Sequence, residues 1–135
     1  MKTIEAYLFF DGKCAEAMRF YEKVLGGTLH LVEAKDTPGG SGDQIMHSLL
    51  RANGAAFMAS DWMAPQPYPG MSGFSVTLAV PTADEAKSLY DQLVDGGKAT
   101  MPFDKTFFSE GFGMLVDRFG TPWMVMAEAP KPADT

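Results

Sequence analysis

The 135-residue chain has little metal- or disulfide-forming material: one cysteine, Cys14, and two histidines, His30 and His47. One thiol excludes an intramolecular disulfide and fits a reducing compartment, so a cytoplasmic location is expected. Two imidazoles and one thiol also cannot build a zinc centre of about four His and Cys ligands. Positive charge is scarce, with 11 Lys and Arg against 17 Asp and Glu and a formal net charge of −6. An acidic surface repels phosphodiester backbones and anionic headgroups, so neither nucleic acid nor membrane is the expected partner. No apolar run approaches the roughly 18 residues of a membrane span. The opening Met1-Lys2-Thr3-Ile4-Glu5 meets an acidic residue at once, so no secretory leader is expected.

What the chain does have is a hydrophobic fraction of 46%, enough for a single domain over 1–135 with a sizeable core. Ten methionines are many for this length. Their flexible, polarisable thioethers fill irregular gaps and suit adaptable apolar pockets; core filling is the plainer use of any one of them.

The chain also repeats itself. Glu16-Ala17-Met18-Arg19-Phe20-Tyr21 resembles Glu85-Ala86-Lys87-Ser88-Leu89-Tyr90 at an offset of 69 residues, and Gly26-Gly27 recurs as Gly96-Gly97 at 70. Asn53-Gly54 with Phe57-Met58 resembles Phe119-Gly120 with Trp123-Met124 at an offset of 66. Two copies are too few for a solenoid and predict a pseudo-twofold pair. In the first copy, strands are expected at 4–10, 28–33, 44–50 and 55–60, the last two joined by the hairpin turn Asn53-Gly54. Cys14, Ala17, Met18, Tyr21, Val24 and Leu25 recur at helical spacing between the first two. The second copy predicts strands at 74–80, 98–103, 111–117 and 121–127. Its helix opens with the capping box Thr82-Ala83-Asp84-Glu85 and carries the stripe Ala86, Leu89, Tyr90 and Leu93. Repeat one is expected at about 3–63, a stiff proline-rich linker at about 64–72, repeat two at about 73–128 and a frayed tail at 129–135. The fold class is therefore α+β: two βαβββ repeats whose mixed, curved sheets form a half-barrel cavity.

Strand alternation assigns side chains to faces. In the last strand Trp123 and Val125 share one face, Met124 and Met126 the other. Bulky Phe74, Val76 and Leu78 suit the helix side, leaving small Ser75, Thr77 and Ala79 to line the cavity. The equivalent lining of the first strand is expected to be Ala6, Leu8 and Phe10. Met58, Met124, Trp62 and Phe108 are expected to shape an apolar pocket, with His47, Ser60, Ser75 and Thr77 as polar anchors.

A paired βαβββ chain of this size resembles the vicinal oxygen chelate superfamily, which includes glyoxalase I, extradiol dioxygenases and the bleomycin and fosfomycin resistance proteins. Further motifs resemble its PhnB-like branch, also described as 3-demethylubiquinone-9 3-methyltransferase-like. They are Tyr7-Leu8-Phe9-Phe10-Asp11-Gly12, Leu25-Gly26-Gly27, Ile45-Met46-His47, Met58-Ala59-Ser60-Asp61, Met101-Pro102-Phe103, Gly111-Phe112-Gly113 and Asp117-Arg118-Phe119-Gly120. The resemblance covers about 3–128. It implies a small-molecule ligand and a homodimer. It also implies that metal-using relatives take four ligands from the first and last strand of each copy. Carried over by the helix offset, those positions fall on Ala6, Met58, Ser75 and Met124, none of them His or carboxylate. The superfamily metal site is therefore expected to be absent and no cofactor is predicted, which disfavours glyoxalase I chemistry. Methyl transfer is disfavoured too, because no glycine-rich strand-to-helix turn is present to hold a nucleotide-like cofactor.

Two functions remain. The first is a metal-free small-molecule binding protein of the glyoxalase/bleomycin resistance type. The alternative is an enzyme of the superfamily, of lyase, transferase or dioxygenase type, with His47 as base or a divalent metal held at a non-standard site. Imidazole titrates near about pH 6.5 and suits that basic role. His30 falls on an edge strand and is expected to face solvent. Cys14 lies in a helix's apolar stripe and is expected to be an inert thiol. Asp61 is expected to follow the fourth strand and begin a connecting loop in a turn or linker role, and Asp117 to make a local turn hydrogen bond.

Overall fold

Each half of the chain lays one amphipathic helix across one four-stranded sheet. The computed structural model describes residues 2–128, so the tail expected to fray at 129–135 lies outside the described residues. The first half contains strand β1 (Tyr7–Phe10), helix α1 (Cys14–Leu25) and strands β2 (Thr28–Glu33), β3 (Ile45–Ala52) and β4 (Ala55–Asp61). The second contains β5 (Val76–Val80), α2 (Ala83–Val94), β6 (Lys98–Asp104), β7 (Phe112–Val116) and β8 (Pro122–Ala127). Strand orders are β1-β4-β3-β2 and β5-β8-β7-β6. In each sheet the first and last strands in sequence pair in parallel, and the other neighbours pair antiparallel. The βαβββ unit is thus present twice, and the chain divides into two compact units between Gly70 and Met71.

The helices form where apolar residues recur every three to four positions. Helix α1 buries Cys14, Ala17, Met18 and Tyr21, and α2 buries Ala86, Tyr90 and Leu93. Full burial of a side chain such as Leu or Met contributes about 1.5–3 kcal/mol, so these stripes dominate the attachment of each helix to its sheet. The hairpin at Asn53-Gly54 has φ of 51° and 80° at its two central residues, the mirror-image turn that matches strand twist.

The two helices start differently. Thr82 Oγ1 accepts the Glu85 N–H at 3.2 Å, as the capping box predicts. Lys13, before α1, offers no side-chain cap. Its place is taken by Asp61, 47 residues further on, whose Oδ1 accepts the Cys14 N–H at 2.9 Å. Its Oδ2 accepts the Ile45 N–H at 2.8 Å. Asp61 is therefore not the first residue of a linker. It is the last residue of β4, 4% exposed, and ties helix, β3 and β4 together.

Two strands start two or more residues later than expected, while β7 is trimmed by a residue at each end and β8 by one at its start. β1 begins at Tyr7 rather than residue 4, and Ile4 is fully exposed. β5 begins at Val76 rather than residue 74. The loop at 34–43 contains a single 3-10 turn, Ala34–Asp36.

An Asp61→Ala substitution leaves two buried N–H groups without their carboxylate. It is expected to destabilise the protein by about 2–4 kcal/mol, read as a lower urea midpoint at unchanged slope. Stability equal to that of the parent would contradict the bridging role.

Candidate functional site: the uncovered sheet faces

One face of each sheet meets its helix; the other does not, and register identifies the side chains on it. In the first unit Tyr7 pairs with Met58, Met58 with Leu49, and Leu49 with His30. Paired residues point to the same side, so these four form a row across the sheet, with Phe9, Ser60, His47 and Val32 in the next row. On the opposite side, Leu8 pairs with Ala59 and Phe10 with Asp61, and the Phe10 ring lies 6.4 Å from that of Tyr21 on α1. Leu8 and Phe10 are 2% and 1% exposed. Leu8 and Phe10 therefore pack under the helix, and Ala6 shares their parity. The first-strand residues on the uncovered face are instead Tyr7 and Phe9, 39% and 41% exposed.

The slip has a clear origin. Between β1 and α1 stand Asp11, Gly12 and Lys13; between β5 and α2 stand only Pro81 and Thr82. The first copy has one extra residue in that loop, so the helices are offset by 69 while the strands before them are offset by 70. Tyr7 corresponds to Thr77, not to residue 76. Carrying the helix offset back through the loop moves every first-strand side chain to the wrong face.

His47 lies on the uncovered face, its ring 6.0 Å from that of Tyr7. Tyr7 stands 5.0 Å from Phe9, Phe9 meets Trp62 edge-on at 5.4 Å, and Trp62 meets Tyr68 at 6.2 Å. The polar ends of this aromatic row are engaged by backbone. Trp62 Nε1 donates to the Gln66 carbonyl at 2.8 Å, and the Tyr68 hydroxyl donates to the Phe9 carbonyl at 2.6 Å. Burial, with the Asp11 carboxylate nearby, pushes the Tyr68 phenol up from its ordinary value and keeps it a donor. His30 shares the face but is exposed on the edge strand. Ser60, also on this face, is buried, and its hydroxyl donates to the Asp61 carbonyl at 3.2 Å.

In the second unit the row reads Thr77, Met124, Met114, Met101, and Met126 pairs with Phe112 in the next. The Thr77 hydroxyl lies 3.9 Å from Met124 Sδ. Ser75 immediately precedes β5 with the parity of Thr77. Phe108 lies on the turn before β7, 43% exposed, and meets Phe112 edge-on at 5.1 Å. Tyr7, Phe9, Leu49 and Met114 escaped the sequence reading, which places Met126 beside Met124. The turn Asn53-Gly54, which fixes the pairing of β3 with β4, was the signal that could have located Leu49.

Trp123 is on the helix side, 1% exposed, with Nε1 donating to Asp117 Oδ2 at 2.8 Å. Asp117 Oδ1 also accepts the N–H groups of Phe119 and Thr121, so the turn aspartate holds the indole as well. Cys14 is fully buried, its Sγ 3.6 Å from Ser48 Oγ. Desolvation pushes the thiol up to about 12, against a smaller opposing effect of the Ser48 contact. A cleft of about 430 Å³ opens at the start of α1 beside Arg19, Asp43 and Asp61, where both Asp61 oxygens already accept N–H groups. Among the described residues no three His, Cys, Asp or Glu side chains cluster closely enough to hold a metal ion, and no helix is long and apolar enough to cross a membrane.

Two βαβββ units, each with an unclosed mixed sheet and one covering helix, define the glyoxalase-like class of fold. The model of the Glyoxalase/Bleomycin resistance protein/Dioxygenase superfamily matches residues 3–125, and the chain belongs to that superfamily. It is 31% identical to Protein YjdN of Escherichia coli K12 over 96% of this chain and 97% of the relative. It is also similar to the crystal structure of PA1353 from Pseudomonas aeruginosa, with a TM-score of 0.90 and 41% identity over 95% and 98% of the two chains. The PhnB protein of Bacillus cereus matches with a TM-score of 0.78 and 25% identity over 94% of this chain and 100% of that one.

The Cys14 environment gives a pH signature. The folded state holds the thiol proton more tightly than the unfolded chain, whose thiol titrates near its ordinary 9.0. The resulting stabilisation is complete below that value and drains away as pH rises toward about 12. Between these limits the melting temperature of the parent should fall more steeply with pH than that of Cys14→Ala. Parallel profiles would show that the thiol is not desolvated.

Proposed function

We propose that this protein binds a small organic molecule against the uncovered sheet faces, as a binding protein of the glyoxalase/bleomycin resistance type that lacks the superfamily metal site. The observation that carries the reading is the donor set. At the register positions on the first and last strands the uncovered faces present Tyr7 and Met58 in one unit and Thr77 and Met124 in the other. Neither the phenol and thioether of the first unit nor the aliphatic hydroxyl and thioether of the second fit a hard divalent cation, which favours carboxylate and imidazole ligands. The faces offer what organic ligands need: aromatic and thioether surface with a few polar groups, among them His47 and Thr77.

A second reading rests on one observation, the placement of His47 on the uncovered face beside Tyr7. An imidazole there can take a proton from a bound substrate, so an enzyme using His47 as base is the alternative. Methyl transfer has no comparable support. The strand-to-helix loops are Asp11-Gly12-Lys13 and Pro81-Thr82, and Phe112 and Gly113 lie within β7. The proposal includes a homodimer in the reducing cytoplasm, consistent with a single buried thiol.

Thermal-shift titration with zinc, nickel and manganese ions should leave the melting temperature unchanged in the parent and in His47→Gln. A stoichiometric stabilisation that His47→Gln abolishes would instead establish a metal enzyme, because a ligand of the native state raises apparent stability. Native mass spectrometry of the protein as purified should show an organic species released on denaturation; metal-free turnover lost in His47→Gln would favour the enzyme. Light scattering should return twice the chain mass, and a monomer across micromolar concentrations would remove the dimer from the proposal.

A further inference from the structure

We propose that the uncovered face of the second sheet is a binding site for a soft monovalent cation, Cu(I) or Ag(I), formed by the thioethers of Met114, Met124 and Met126. The inference needs only the second unit's own sheet and shares Met124 with the organic-ligand reading without depending on it.

Register brings the three side chains together. Met114 on β7 is the direct partner of Met124 on β8, and Met126 follows two residues later, opposite Phe112. Direct cross-strand partners lie about 4.5–5.5 Å apart and residues two apart on a strand about 6.8 Å, with side chains on the same face. Three long side chains thus rise from a small triangle of backbone. Each has three rotatable bonds, enough to turn its sulfur inward. Met101, the register partner of Met114 on β6, stands beside them as a fourth thioether. The Tyr90 hydroxyl, reaching from the helix side, donates to the carbonyls of both Met101 and Met114 at 3.0 and 3.3 Å and so holds β6 and β7 in place beneath the group.

Simple packing does not account for the cluster. The methionine used as filler, Met18, is completely buried on the sheet-facing side of α1. Met114, Met124 and Met126 are only half-buried, on the face that α2 does not cover. Phe112, 6% exposed, shares the face as the register partner of Met126, and the Thr77 hydroxyl donates to Met124 Sδ at 3.9 Å, a weak bond that a bound cation would displace. Neutral thioethers are soft donors that select Cu(I) and its congeners over zinc, manganese or magnesium. They carry no proton to displace, so affinity should not change with pH across the range where imidazole and thiolate sites weaken.

The test is an Ag(I) titration of the full chain carrying [13C-methyl]methionine, followed by NMR and calorimetry. The expected result is one ion per chain, with the methyl signals of Met114, Met124 and Met126 shifting together while those of Met18, Met46 and Met63 stay still. Affinity should be equal at pH 5.5 and 7.5. Met114→Leu and Met124→Leu, which conserve core volume, should each weaken binding at least tenfold, and Cys14→Ala should leave it unchanged. Cu(I) supplied from a competing chelator should give the same ordering. No shift at stoichiometric Ag(I), shifts centred on Met46 or Met63, or binding abolished by Cys14→Ala would each overturn the assignment.

Discussion

Within each unit the helix covers one side of the sheet only, and that asymmetry decides what every strand residue can do. A helix with a narrow apolar stripe can bury one face of four strands. Alternation then sends half the side chains under it and leaves the other half available. Leu8 and Phe10 in the first unit and Trp123 and Val125 in the second are buried on the helix side of their own sheet; Tyr7, Met58, Thr77 and Met124 lie on the other face. A one-residue error in register exchanges the two roles completely. The parallel pairing of β1 with β4, and of β5 with β8, is therefore the constraint on which both the core and the candidate site rest.

The two copies meet the same requirements with different residues. Helix α2 is capped locally by Thr82, whereas α1 depends on Asp61 at the far end of the unit. The second unit gains its buried carboxylate at Asp117, which accepts two turn N–H groups and the Trp123 indole. These aspartates are buried and fully occupied by N–H donors, which makes them organisers of backbone rather than agents of chemistry. The same distinction separates Cys14, on the buried face of α1, from His47, on the sheet face away from that helix.

Most of the fold was legible from the chain. The helical stripes, the Asn53-Gly54 turn, the Thr82 capping box and the double glycines are local signals, and each marks its element. The site was legible only in part. Thr77 follows from the alternation of small and bulky residues in its own strand, and Met58 and Met124 follow from their matching places in the two copies at an offset of 66. The first strand has no such contrast: Tyr7, Leu8, Phe9 and Phe10 are all large and apolar. Its face had to be inferred from the second copy, through a loop that differs in length by one residue. Asp61 was misjudged for a related reason, since a cap supplied from 47 residues away leaves no local mark.

The uncovered faces carry aromatic rings, thioethers, hydroxyls and one imidazole next to a phenol. Hard cations find few partners among them, while flat or apolar organic groups and soft ions find many. Membership of the superfamily gives the scaffold and leaves the chemistry to these side chains. Anomalous diffraction at the zinc edge, from crystals grown with zinc ions, tests this most directly. The account predicts no zinc held by three or more protein ligands on either uncovered face. A peak of full occupancy there, coordinated by side chains around Tyr7 and Met58 or around Thr77 and Met124, would contradict it.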